Sequence, residues 1–328
     1  MKDTPTFEGN VFAGGHLDRA GHQRRDEAWV EGLRGDPATR FLPLMRLEAL
    51  IGGAAAPAIA WLEPAAVTDD LAAGAQTVLL GLDGPVAHFA INASARAPAK
   101  GDDPPFADRG AFRDIRRVAG QVPRGDAAIL AQARSMIDWH ARHGFCAQCG
   151  QPTRSSADGY VRRCADEACG AQHFPRTDPV VIMLVTDGER CLVGRSGRFP
   201  FKLYSALAGF VEPGETVEEA VRREVMEEAS IKVGAVRYHS SQPWPYPSSL
   251  MIGCIADALT TDIHVDREEL EDAQWFDREV MRAAVTRAAT VTDPLTRPPN
   301  ADEDDPIPIL PAPMAIAHQL IRWWVTER

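Results

Sequence analysis

Positive charge, long apolar runs and secretion-type cysteines are all scarce in this chain. Lysine and arginine together number 35 against 46 aspartates and glutamates, for a net charge of -11. A surface of that sign repels polyphosphate backbones, so general nucleic-acid binding is not the expected role. No window reaches the ~18 unbroken apolar residues of a membrane span, and no membrane partner is expected. The opening MKDTPTFEGNVF lacks the apolar core of a signal peptide, and the closing WWVTER carries no address signal. These absences lead to the expectation of a soluble, cytoplasmic protein. Six cysteines in 328 residues do not make the disulfide framework of a small secreted domain.

What is present is ordinary globular material, 45% hydrophobic and 25% charged. The length suggests two or three domains. Residues 1–135 read as an α/β scaffolding or dimerisation domain, since no cluster of site-type residues occurs there. Within them TVLLGLDGPVAHFAI predicts two strands joined at Asp83-Gly84. The Pro- and Gly-rich residues 93–111 predict a linker or exposed loop. Residues 140–175 hold four cysteines, and 176–328 form the last domain. There PVVIMLV and CLVGR flank a second Asp-Gly turn, and DREVMRAAVTRA and PAPMAIAHQLIRWWV have helical spacing. The acidic, proline-rich residues 292–311, with Asp302 to Asp305, predict a mobile loop.

The four cysteines run Cys146-x2-Cys149, a gap of fourteen, then Cys164-x4-Cys169. Each pair can place two thiolates on one turn, with Gly150 and Gly170 as turn residues. Two such knuckles facing each other make a closed four-sulfur zinc site, which is structural because no coordination position is open. Four free thiols in a loop are the other reading. Cys191 and Cys254 sit in apolar runs and read as core. Zinc ribbons can also bind nucleic acid, and Arg154, Arg162, Arg163 and Arg176 keep that alternative open.

The stretch GFVEPGETVEEAVRREVMEEASI, residues 209–231, crowds seven glutamates onto one turn and one helix. Thr216 and Glu219 form a capping-box pattern that starts the helix near Val217. At about 100° per residue, Glu224, Glu227 and Glu228 share an arc that overlaps the apolar Val217, Ala220 and Val221. Like charges at this spacing destabilise a helix, and partial burial raises their pKa values. A divalent cation among them, Mg2+ or Mn2+ with phosphate oxygens as further ligands, removes the conflict. The alternative is a solvated acidic face partnered by Arg222 and Arg223.

Gly209, Glu215, Arg223, Glu224, Val225, Glu227, Glu228 and Ile231 occupy the places of the Nudix box, and the stretch resembles that motif. Ser230 departs from it, standing where the family has a helix-ending glycine. If the left-handed conformation is kept there, serine costs about 1 kcal/mol. The resemblance implies an α+β fold: a Nudix α/β/α sandwich with a mixed sheet, preceded by the zinc ribbon and a smaller N-terminal α/β domain. It implies that Glu224, Glu227 and Glu228, with the carbonyl of Ala208, hold Mg2+ or Mn2+. It also implies that Arg223 pairs with Glu215.

A second stretch, SQPWPYPSSLM, has alternating Pro243, Pro245 and Pro247, which exclude a helix or a central strand. It reads as a stiff segment whose Trp244 and Tyr246 either stack on a flat heterocycle or pack on the core. It looks like the SQPWPFPxS signature of the NADH pyrophosphatase subgroup of Nudix hydrolases, with Tyr246 for phenylalanine. By that resemblance Phe174, Phe210, the run Gln242, Pro243, Trp244, Pro245, Tyr246, Pro247, Ser248 and Ser249, and the backbone of Ala317 contact substrate. Glu269, beside Glu268 and Glu271, adds a metal ligand. The expected activity is hydrolysis of NADH, and NAD+ less well, to nicotinamide mononucleotide and AMP, with NAD-capped RNA as a further substrate. The expected assembly is a homodimer. The alternatives are a broader dinucleotide or nucleoside-diphosphate-sugar pyrophosphatase, or a nucleotide-sensing or RNA-binding module without catalysis.

Overall fold

The computed structural model describes residues 9–199, 201–294, 296–297 and 305–326. By its internal packing the chain forms two compact units. One comprises residues 14–177 with 245–248; the other comprises residues 9–13, 178–244 and 249–326. The cysteine region therefore belongs to the same unit as the N-terminal sheet.

In the N-terminal unit the strands are β1 (Arg40–Met45), β2 (Glu48–Gly52), β3 (Ala58–Ile59), β4 (Thr77–Asp83), β5 (Val86–Asn92) and β6 (Ala111–Arg113). They run in the order β3-β2-β1-β5-β4, with β6 on β2; β1 and β5 are parallel and the other pairs antiparallel. The Asp-Gly hairpin forms as its sequence predicts: Asp83 faces Val86, and Gly84 takes the positive φ such a tight turn needs. The helices are α1 (Glu27–Gly35), α2 (Thr68–Ala72), α3 (Ile115–Val118) and α4 (Arg124–Arg142). Phe41, Leu50, Leu79, Phe89 and Ile91 form the core on one face of the sheet together with Val30 of α1.

From α4 the chain enters a three-stranded ribbon, β7 (Thr153–Ser156), β8 (Val161–Cys164) and β9 (Gln172–His173). Its first turn is fastened to the N-terminal sheet. The Asp158 carboxylate accepts the Leu79 N–H at 2.7 Å and pairs with Arg34. Arg162 is buried and donates to Thr153 and to His140 Nδ1. That donor fixes the His140 tautomer, so Nε2 carries the proton and donates to the Gly159 carbonyl at 2.8 Å. Arg162 thus braces the interior and is not part of an open basic surface.

The C-terminal unit is a sandwich. Its strands are β10 (Asp178–Asp187), β11 (Arg190–Arg195), β12 (Leu207–Phe210), β13 (Val233–Trp244), β14 (Ser249–Ala258) and β15 (Asp272–Asp277). The order is β13-β14-β10-β11-β15, with β12 on β10 and a parallel β10–β14 pair inside an otherwise antiparallel sheet. Both faces of β10 are covered, which explains its unbroken apolar run. Val181, Met183 and Val185 meet Ala220, Val221, Val225 and Ala229 of α5 (Val217–Ala229). On the other face Ile182 and Leu184 meet α6 (Arg278–Ala288) and α7 (Ile316–Thr326), including Met281, Leu320 and Trp324. Pro243 lies in β13, an edge strand, where proline's missing N–H is tolerated.

Part of the loop expected to be mobile is held in place. Arg287 pairs with Asp305 and donates to the carbonyls of Ile307 and Pro308, and Ile309 forms a bridge with Leu203. Asp302, Glu303 and Asp304 lie outside the described residues. Among the described residues no helix is long and apolar enough to cross a membrane.

Candidate active site

The acidic helix begins as its capping box dictates. Thr216 Oγ1 accepts the Glu219 N–H, and the Glu219 carboxylate accepts the Thr216 N–H. It ends at Ser230, which holds φ +59 and ψ +24, so the left-handed position survives without the family's glycine. Between these ends the 3.6-residue period turns Glu224 and Glu228 inward, where both are buried, and leaves Glu227 half-exposed. Glu269 reaches the same place from the loop before β15: carboxylate oxygens of Glu224, Glu228 and Glu269 lie within 4.8 Å of one another. Glu271 instead pairs with Arg195, which separates the two neighbouring glutamates by role.

Arg223 organises the approach. Its guanidinium grips Glu215 through two hydrogen bonds, at 2.6 and 2.9 Å, and donates to Glu224 (2.8 Å), Glu227 (2.9 Å) and the Phe210 carbonyl (2.8 Å). The β12–α5 loop is thereby tied to the middle of the helix. The Arg223 bonds, with the Glu212 N–H, hold the Glu215 carboxyl down to about 2. Glu228 moves the other way. Burial first, then the Glu224, Glu269 and Glu227 carboxylates, push it up to about 8. Its Oε2 is buried with no hydrogen-bond partner among the described residues. An orphaned carboxylate oxygen facing two further carboxylates fits a hard divalent cation, which takes oxygen ligands.

Room for Glu224 comes from Gly209, on β12 next to Ala208. A Cβ on Gly209 would lie 1.8 Å from Glu224 Cδ. The box's leading glycine is therefore steric: it leaves the volume that a ligand carboxylate fills. Sequence reasoning placed Gly209 in the motif but not in this role, because the contact joins residues fifteen positions apart.

The other expected site residues are distributed unevenly. Phe210 is 59% exposed and Phe174 64% exposed, so both rings are presented to solvent. Ala317 lies in the first turn of α7 with its side chain in the core. Gln242 is fully buried: Nε2 donates to the Val11 and Met314 carbonyls, and Oε1 accepts the Ile316 N–H. Its amide is spent on fastening the chain, not on lining an open pocket. Trp244 packs edge-on against Phe12, with centroids 6.0 Å apart. The Tyr246 ring lies 4.2 and 4.3 Å from the Arg116 and Arg134 guanidinium carbons, and Arg134 donates to the Pro245 carbonyl. Neither arginine was legible as a partner, since each lies more than a hundred residues away. Pro247 is exposed, and Ser248 and Ser249 are half-exposed.

The four cysteine sulfurs of the ribbon also lie within 4.8 Å of one another, with Cys149–Cys164 at 3.4 Å and Cys146–Cys169 at 3.9 Å. Thiolates ~2.3 Å from a tetrahedral zinc sit roughly 3.8 Å apart, so the set fits that ion. Gly150 and Gly170 hold the positive φ of the knuckle turns. Cys191 and Cys254 are buried core residues.

A sandwich whose acidic helix carries this box, with glutamates converging beside a glycine-lined strand, defines the Nudix class. Family models agree along the chain: residues 176–296 match the NUDIX domain, 141–174 the NADH pyrophosphatase zinc ribbon domain, and 38–139 the NADH pyrophosphatase-like rudimentary NUDIX domain. Mitochondrial NAD(P)H pyrophosphatase NUDT13 of Homo sapiens is 40% identical over 253 residues, covering 76% of this chain and 67% of that protein. NAD-capped RNA hydrolase NudC of Chromobacterium violaceum is 38% identical over 222 residues, covering 68% and 72%. NAD-capped RNA hydrolase NUDT12 of Homo sapiens is 46% identical over 213 residues, covering 62% of this chain; the match spans only 43% of that longer relative. The chain belongs to the Nudix hydrolase family, in its NADH pyrophosphatase branch.

Proposed function

We propose that the protein hydrolyses the diphosphate of NADH, and of NAD+ less well, to nicotinamide mononucleotide and AMP, and removes NAD caps from RNA 5′ ends. The observation that carries this reading is the convergence of Glu224, Glu228 and Glu269 around the orphaned Glu228 Oε2. These three, with Glu227 and the Ala208 carbonyl, would hold Mg2+ or Mn2+. Bound dications supply charge neutralisation on the phosphoryl oxygens and acidify the attacking water.

The chain's own groups do the rest. Glu228 is the box glutamate that accepts the proton of the attacking water. Arg223 keeps Glu215, Glu227 and the Phe210 carbonyl in register, and so positions the ligand glutamates. The family resemblance assigns Phe174 and Phe210, each exposed on its own unit, to contact with the nucleotide. The family resemblance supports substrate contacts from segment 243–249, in which Tyr246 is held by its two arginines. The four cysteines hold a structural zinc, which suits a reducing compartment such as the cytoplasm. The family resemblance further supports a homodimer, which light scattering on the purified protein checks.

The test is a panel of NADH, NAD+, ADP-ribose, diadenosine polyphosphates and NAD-capped RNA, each with Mg2+ or Mn2+. NADH and capped RNA should be the preferred substrates. Glu228→Gln should lower kcat by about 10²–10⁴-fold with the fold intact. A preference for ADP-ribose would defeat the substrate assignment, and an unimpaired Glu228→Gln enzyme would defeat the mechanism.

A further inference from the structure

The ribbon sheet turns its two faces to different surroundings. Along Pro152, Thr153 and Arg154, and again along Arg162, Arg163 and Cys164, exposed and buried residues alternate. The inward row includes Thr153, Arg162 and Cys164. The outward row is Arg154, Arg163 and Gln172, register partners across β7, β8 and β9, all exposed. Phe145, bridged to Pro152, comes next on this face and is 70% exposed.

Two arginines directly opposite on neighbouring strands repel each other. Several other arginines of the chain face carboxylates, among them Arg34, Arg96, Arg142, Arg237, Arg278 and Arg282. Among the described residues neither Arg154 nor Arg163 has an acidic partner. In a protein of net charge -11 this cationic pair calls for an anion from outside. Phosphate oxygens match the guanidinium fork, and an exposed ring alongside suits a base. Arginine with aromatic is the composition by which proteins hold single strands without reading their sequence.

We infer that the outer face of the ribbon is a platform for single-stranded RNA, with Arg154 and Arg163 on backbone phosphates and Phe145 under a base. The inference rests on capped RNA being a substrate, and it names the part of the chain that grips the RNA body.

The experiment measures anisotropy of a short, labelled, uncapped RNA bound to the full-length zinc-loaded protein across a salt series. Beside it runs NADH turnover. In Arg154→Gln/Arg163→Gln the affinity should fall about tenfold near physiological salt, and the log–log salt slope should shrink by about 1.4, the value for two single-strand phosphate contacts. NADH turnover and zinc content should stay at wild-type levels. Phe145→Ser should weaken binding without changing the slope. Absence of RNA binding by the wild-type protein would overturn the platform, as would a double variant with the parent's affinity and slope. An inactive wild-type protein that still bound RNA through these arginines would defeat the proposed hydrolysis and leave the platform standing.

Discussion

At the scale of single residues, the site depends on an atom that is missing. Gly209 has no Cβ, and Glu224 fills the space. Gly209→Ala should displace that carboxylate and raise the half-saturating Mn2+ concentration about 10–100-fold, the usual effect of disturbing a ligand's support. A metal titration of NADH turnover reads this directly, and an unchanged midpoint would refute the steric role. His140 supports a second prediction. Burial, with help from Arg162 and His143, lowers its pKa to about 4 against the Gly159 hydrogen bond. The folded protein therefore refuses a proton that the unfolded chain accepts below 6.5. Stability that His140 contributes above that value is lost as pH falls toward 4, by up to ~3 kcal/mol. Denaturant unfolding across this range should show the loss, and His140→Gln should flatten it. Individual site residues were legible in unequal measure for a physical reason. Glu224, Glu227 and Glu228 declare themselves through helical spacing alone. Gln242 looked like pocket lining because its true partners, Val11, Met314 and Ile316, lie 231, 72 and 74 residues away.

Elements were easier to read than the contacts between them. Helix α5 carries its start signal three residues apart in sequence and forms where that signal puts it. Both Asp-Gly hairpins close as local turn chemistry requires. The face a strand residue takes was not legible, because register comes from the partner strand. Arg162 and Arg163 are adjacent and alike, yet one is buried against His140 and the other is exposed. The end of α5 supplies a stability prediction. Ser230 occupies the left-handed region that its family reserves for glycine. Ser230→Gly should relieve about 1 kcal/mol of backbone strain. In a unit of this size that raises Tm by about 2–4 °C. The metal-free protein is the right sample, since bound ions would add their own stabilisation. A melting point unchanged or lowered would mean that the Ser230 side chain offsets its own strain.

For the whole molecule, the sequence pattern suggested three pieces, with residues 1–135 lacking any site. Those residues carry neither the box nor a glutamate cluster, so their match to a rudimentary NUDIX domain was invisible in their chemistry. Nor did the cysteine spacing reveal that the ribbon belongs to the N-terminal unit. The ribbon turn Ala157-Asp158-Gly159 holds three successive positive φ values, 47°, 47° and 91°. For the two non-glycine residues such geometry costs of order 1–3 kcal/mol each and persists only where surroundings enforce it. Asp158 supplies the enforcement: it accepts the Leu79 N–H on β4, an edge strand of the first sheet, and pairs with Arg34. The hairpin bearing this turn lies between the two cysteine pairs, so a zinc held by them would pin both of its ends. Removing zinc by chelation under reducing conditions should therefore loosen a backbone bond in a different sheet. Hydrogen exchange at Leu79 should accelerate after metal removal, and Asp158→Ala should accelerate it with zinc still bound. If Leu79 stays protected when the thiols are empty, the turn holds without its metal and the ion serves the ribbon alone.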